Sequence, residues 1–139
     1  MPTRKDAEPV PRRSLWTGRI LSVVAVLFLA FDIVIKLLQI APVTESFERL
    51  GYPPDIAFGL GLLELACLVL YVVPRTSVVG AILLTGFLGG ATATHTRVGD
   101  PFFSHVLFPA YVGLLVWGGL LLREARLRVL VPLRSDSIA

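Results

Sequence analysis

The sequence predicts an all-α protein: a bundle of four antiparallel transmembrane helices with both termini in the cytoplasm. Three observations predict it. Hydrophobic residues make up 55% of the 139 and charged residues 17%, which is too apolar for an ordinary soluble domain. Four apolar runs approach or exceed the ~20 residues a helix needs to cross a bilayer. The basic residues are also segregated. Arg4, Lys5, Arg12, Arg13, Arg19, Arg75, Arg123, Arg126, Arg128 and Arg134 fall on one side of such a bundle, and only Arg49 and Arg97 fall in the loops opposite. Ten against two sets the orientation, because loops rich in Lys and Arg stay in the cytoplasm.

Residues 1–14 are polar and proline-rich, and read as a disordered cytoplasmic tail. The apolar run after Arg12-Arg13 is too long for a signal-peptide core and carries Asp32 and Lys36, so it reads as a retained first span over 17–41, ended by Pro42. The connection that follows has room for one amphipathic turn, with Gly51 as its C-cap and Pro53-Pro54 beyond it. The second span covers 55–73, with Asp55 as N-cap and Glu64 inside it. Pro74 to Ser77 is a short link, so spans two and three are antiparallel neighbours. The third span covers 78–95, where Gly86 and Gly90 form a small-xxx-small pair suited to close helix approach. The fourth covers 101–122, with Asp100 capping and Pro101 at the first helical position. These spans make a membrane domain over 15–125, and residues 126–139 close the chain as a basic cytoplasmic tail.

Counting ~1.5 Å of rise per residue places Asp32, Lys36, Glu64, His95 and His105 in the outer half of the bundle, from the interface to roughly 14 Å deep. The inner half carries no ionisable residue between Ser22 and the cytoplasmic ends. Asp32 and Lys36 stand four apart on one helix face and can pair. An ionisable group within a membrane is costly unless paired or wetted, so these side chains face the bundle interior. Glu64 either joins as a second carboxylate opposite Lys36 or carries a proton. With Thr92 and Arg97, these five define a candidate polar pocket: Asp32, Lys36, Glu64, Thr92, His95, Arg97 and His105. Pro109 lacks the N–H that would otherwise bond the His105 carbonyl.

Plainer readings stand beside each of these. The Asp32–Lys36 pair also serves to set helix register. Thr92 and Thr94 suit bonds to backbone carbonyls, Arg97 suits the interface, and Asp100 suits a cap. His95 and His105 lack the tight spacing of a metal site, and none is assigned. Cys67 is the only cysteine, which rules out an intramolecular disulfide, a CxxC dithiol and a cysteine-ligated metal centre in one chain. The net charge of +3 is spread over span ends rather than one face, so nucleic acid is not an expected partner.

Gly51-Tyr52-Pro53, Glu64, Pro74-Arg75-Thr76, Gly89-Gly90-Ala91, Thr94-His95 with Arg97, Gly99-Asp100-Pro101 and Pro109, in this order and spacing over roughly residues 33 to 123, resemble the DoxX-like family of small four-helix membrane proteins. The resemblance implies a multi-pass protein of the inner membrane. It also implies a small membrane subunit or accessory factor of a redox or stress-response system, with quinone as the cofactor such a pocket allows. A membrane or soluble oxidoreductase, a second copy of the chain and the lipid bilayer are the partners that follow. Nothing in the sequence establishes catalysis. A binder or transporter of small molecules or lipids, and a non-catalytic scaffold, stay open as alternatives.

Overall fold

A computed structural model of the protein describes residues 9–130. Residues 1–8 and 131–139, where most of the two expected tails fall, lie outside the described residues. The elements in order are α1 (Arg12–Leu37), α2 (Ala41–Arg49), α3 (Ile56–Val72), α4 (Ser77–Arg97), a π-helical turn (Phe102–Val106), α5 (Phe108–Arg123) and the short α6 (Ala125–Leu130). Among the described residues no strand occurs. Among the described residues three segments are long and apolar enough to cross a membrane: α1, α4 and the continuous stretch Phe102–Arg123. The fourth long helix, α3, is more apolar than these but has only 17 residues.

The four long helices pack in a ring in the order α1, α3, α4, α5, with α5 closing back on α1. Neighbours run antiparallel. Ser22, in the first half of α1, bonds Tyr71 at the end of α3 (3.0 Å), and Lys36, at the end of α1, bonds Glu64 at the middle of α3. Trp117 of α5 donates to Thr85 of α4 at 2.7 Å, fixing that pair. The core runs down the axis through Ala25 and Leu29, Leu68 and Tyr71, Ala81 and Leu84, and Val116 and Leu120. Large apolar side chains also cover the outside, among them Ile20, Leu27, Phe31, Leu63, Ile82 and Leu114. Helices that are hydrophobic all round belong in lipid, where an outward leucine costs nothing.

Tyr71 ties the diagonal of the ring. Its hydroxyl donates to the carbonyl of Val116 at 2.9 Å, so the Ser22 hydroxyl must donate to Tyr71 Oη. Close backbone approach occurs at two places. A Cβ at Gly18 would lie 2.9 Å from the Gly119 carbonyl, and a Cβ at Gly80 would run into the backbone of Tyr71. Gly86 and Gly90, where the sequence suggests a helix contact, would meet nothing within 4 Å. They border open space instead.

Several boundaries depart from the sequence reading. The first span ends at Leu37 rather than at Pro42, because Gln39 turns the chain through a left-handed conformation (φ 48°). Pro42 then falls in the first turn of α2, where a missing N–H costs nothing. Asp55 makes no capping bond. Pro101 sits before the π-helical turn in an extended conformation rather than at its first position, and the Asp100 carboxylate is used elsewhere. The helix breaks at Leu107, so Pro109 falls in the first turn of α5, where its missing N–H costs nothing.

Candidate functional site

One end of the bundle carries both termini of the described chain and the α3–α4 turn. The opposite end carries α2, the α4–α5 turn and nearly all the polar side chains singled out above. Two ionic clusters form there.

The deeper cluster centres on Lys36. Its Nζ donates to Asp32 Oδ2 at 2.5 Å and to Glu64 Oε2 at 2.7 Å. One helical turn separates Asp32 from Lys36, so their pairing is built into α1. Glu64 arrives from α3 because Gly61, one turn earlier, offers no side chain: a Cβ there would come within 3.1 Å of Lys36 Cβ. Exposure falls steadily across the trio, from 30% for Asp32 through 12% for Lys36 to none for Glu64. The Glu64 Oε1 atom is enclosed and has no hydrogen-bond partner among the described residues. Phe87 of α4 places its ring 5.1 Å from Nζ, which adds a cation–π contact on the cavity side.

The outer cluster centres on Asp100. At the end of α4 the left-handed Gly99 (φ 73°) lets the Asp100 N–H bond the His95 carbonyl and the Gly99 N–H bond the Thr96 carbonyl. This is the double hydrogen bond of a Schellman ending. It also folds the Asp100 carboxylate back onto the His95 ring, with Nδ1 to Oδ2 at 2.5 Å. Arg49, at the end of α2, donates to the other oxygen at 2.6 Å. These bonds from Arg49 and then His95 hold the Asp100 carboxyl down at about 2, so it is ionised and can only accept. His95 Nδ1 therefore carries the hydrogen, and Nε2 is the ring nitrogen left for another partner.

Between the clusters lies a cavity of about 640 Å³, bounded by α1, α2, α4, α5 and the start of α3. Asp32 and Lys36 form its polar floor, and His95, Thr94 and Tyr52 form a polar edge. Most of the remaining wall is apolar, including Phe28, Phe47, Phe108 and Val112. Gly86 and Gly90 leave the α4 wall thin. The proportions suit a mostly apolar molecule with a polar head.

Of the seven candidate residues, Asp32, Lys36 and His95 line this space, and Glu64 reaches it through Lys36. The other three stand around it. Thr92 donates to the Leu88 carbonyl at 3.1 Å. Arg97 donates to the Leu50 carbonyl and lies over the Tyr52 ring, tying α4 to the end of α2. His105 is exposed, with its ring 6.0 Å from that of His95. Sequence reasoning does not place Arg49, Tyr52 or Phe87 at the site, nor does it give Asp100 a pairing role. Tyr52 bonds Thr94 at 2.9 Å and closes the same edge.

The sequence profile of the DoxX-like family matches residues 20–119, which takes in α3 and α4 entire, most of α1 and α5, and both clusters. The chain belongs to the DoxX-like family. No curated protein and no solved structure matches it significantly. Family membership and the apolar helices together make this a membrane protein. Within this DoxX-like protein, the matched region contains Lys36, both of its carboxylates, His95 and Asp100, so the paired ionic clusters lie inside the family's own segment.

Proposed function

We propose that this DoxX-like protein is a four-span inner-membrane protein with both termini cytoplasmic, acting as a small membrane subunit or accessory factor of a redox or stress-response system. Its cavity would take a quinone from the bilayer. The observation that carries the reading is the cavity itself: an apolar space with a charged Lys36 floor and a histidine of fixed tautomer at its edge. A quinone ring and tail match the apolar wall, and Lys36 is a donor for a ring carbonyl. At the other edge, His95 Nε2 accepts the hydroxyl proton of a quinol while Asp100 steadies the imidazolium that forms. A partner oxidoreductase would take or supply the electrons. The basic residues gathered at the terminal end support the cytoplasmic orientation.

The test is equilibrium binding of a ubiquinone or menaquinone analogue to the purified protein, with Glu64→Gln and His95→Ala alongside. Both variants are expected to weaken binding and any coupled turnover. If neither changes, the quinone reading is wrong. Transport is less favoured. Between the Lys36 cluster and Ser22 the interior is filled by Leu29, Leu68, Leu84 and Val112, so no polar path crosses the bundle.

A further inference from the structure

The terminal end of the bundle holds a second cleft that the redox reading does not use. It has a volume of about 330 Å³ and lies between α1, α3 and the end of α5. Arg19, Ser22, Val23, Val26 and Leu27 form its α1 wall, and Tyr71, Val72 and Arg123 complete it. The α1 residues follow the spacing i, i+3, i+4, i+7, i+8, a single helix face about 12 Å long from arginine to leucine. One end of the cleft is therefore cationic and the other wholly apolar.

The two arginines are brought level by the contact of Gly18 with Gly119 and Leu122, immediately beside them. Arg123 is held over the Tyr71 ring at 5.4 Å. The polar atoms of the floor are already committed, since Ser22 donates to Tyr71 and Tyr71 to the Val116 carbonyl. The arginine donors are not. Among the described residues Arg123 Nε is enclosed without a hydrogen-bond partner, and neither Arg19 nor Arg123 pairs with a carboxylate. Lys36 and Arg49 at the opposite end both do. Trp16, exposed one turn before Arg19 and stacked under its guanidinium at 5.8 Å, marks the depth as that of the lipid headgroups.

We propose that this cleft is a binding site for one anionic phospholipid. Its phosphate sits between Arg19 and Arg123, and an acyl chain lies along Val23, Val26, Leu27 and Val72. The phosphate oxygens accept from the guanidinium N–H groups of Arg19 and Arg123 that no carboxylate among the described residues holds, and the apolar wall points from headgroup depth into the bilayer. A free phosphate would satisfy the arginines but leave that wall empty.

The experiment is native mass spectrometry of the full chain in mild detergent, titrated separately with phosphatidylglycerol, phosphatidylcholine and inorganic phosphate. A single saturable phosphatidylglycerol adduct is expected, with no comparable phosphatidylcholine adduct and no displacement by phosphate. Arg19→Gln and Arg123→Gln should each weaken that adduct about fivefold. Arg75→Gln, at the same end but outside the cleft, should leave it unchanged. Val26→Trp keeps both charges and fills the wall, and should also weaken binding. Circular dichroism and gel filtration establish that each variant is folded. Equal binding of both lipids, an equal loss in Arg75→Gln, full displacement by phosphate, or intact binding in folded Arg123→Gln and Val26→Trp would each overturn the proposal.

Discussion

The two ionic clusters at the polar end are inverted copies of one another. In the deeper one a cation lies between two carboxylates, Lys36 with Asp32 and Glu64. In the outer one a carboxylate lies between two nitrogen groups, Asp100 with Arg49 and His95. Bond lengths are similar, from 2.5 to 2.7 Å, so geometry does not separate them. Surroundings do. Glu64 is fully enclosed whereas the Arg49 side chain is 52% exposed. Water competes for Arg49 in the outer cluster, whereas Glu64 and most of Lys36 in the inner one are shut away from it and only Asp32 keeps a partly exposed edge. The same bonds are therefore structural necessities in one place and adjustable fastenings in the other.

This contrast ranks the expected effects of substitution. Lys36→Met strands two carboxylates against an apolar wall and should cost about 3–5 kcal/mol, read as a large fall in the thermal midpoint of the purified protein. Glu64→Gln keeps the shape and an acceptor for Lys36, and should cost less, about 1–3 kcal/mol in the same measurement. A Glu64→Gln protein less stable than Lys36→Met would break the ranking. Gly99→Ala places a side chain at φ 73° and should cost about 1–2 kcal/mol, loosening the α4 ending that aims Asp100 at His95. Asp100→Asn should have a smaller effect that depends on pH. Its folded value of about 2 lies below the ordinary 3.8, so its stabilising share is fully present above roughly pH 4 and is lost as pH falls through 2. The gap in thermal midpoint between the parent and Asp100→Asn should therefore close over that window. A gap that widened on acidification would refute the assignment. Arg49→Gln should be the mildest of all, visible as faster amide exchange in α2 rather than as a change in midpoint.

The sequence makes some of this arrangement readable and hides the rest for physical reasons. The all-α character follows from the long apolar runs, and the helical structure shows it. Asp32 and Lys36 are four apart, so their contact is a local property of α1. Glu64 can be matched to their depth by counting rise, although only the missing side chain at Gly61 brings it within reach of Lys36. Arg49 and Asp100 are a different matter. Their bond joins residues separated by the whole of α3 and α4, and no spacing rule connects them. Asp100 before Pro101 carries the signature of a helix cap. The left-handed Gly99 gives it another direction, and its neighbour His95 another partner. The end of α1 was hidden for a related reason: proline punctuates a chain without telling whether it ends one helix or begins the next. Pro42 begins α2.

The pairing of α1 with α5 has a consequence for how the protein is made. The Gly18–Gly119 approach joins segments about 100 residues apart, so at translation rates of ~5–20 residues per second the first helix waits roughly 5–20 s for its partner. During that interval α1 has Lys36 without Glu64, then with Glu64 but without α5. Asp32, supplied by the same helix one turn away, is the counter-ion available from the start. A ribosome that stalls before α5 leaves the cavity without one of its walls and the arginine cleft without Arg123. A chain halted there would carry an open seam along α1 that α5 fills in the finished bundle.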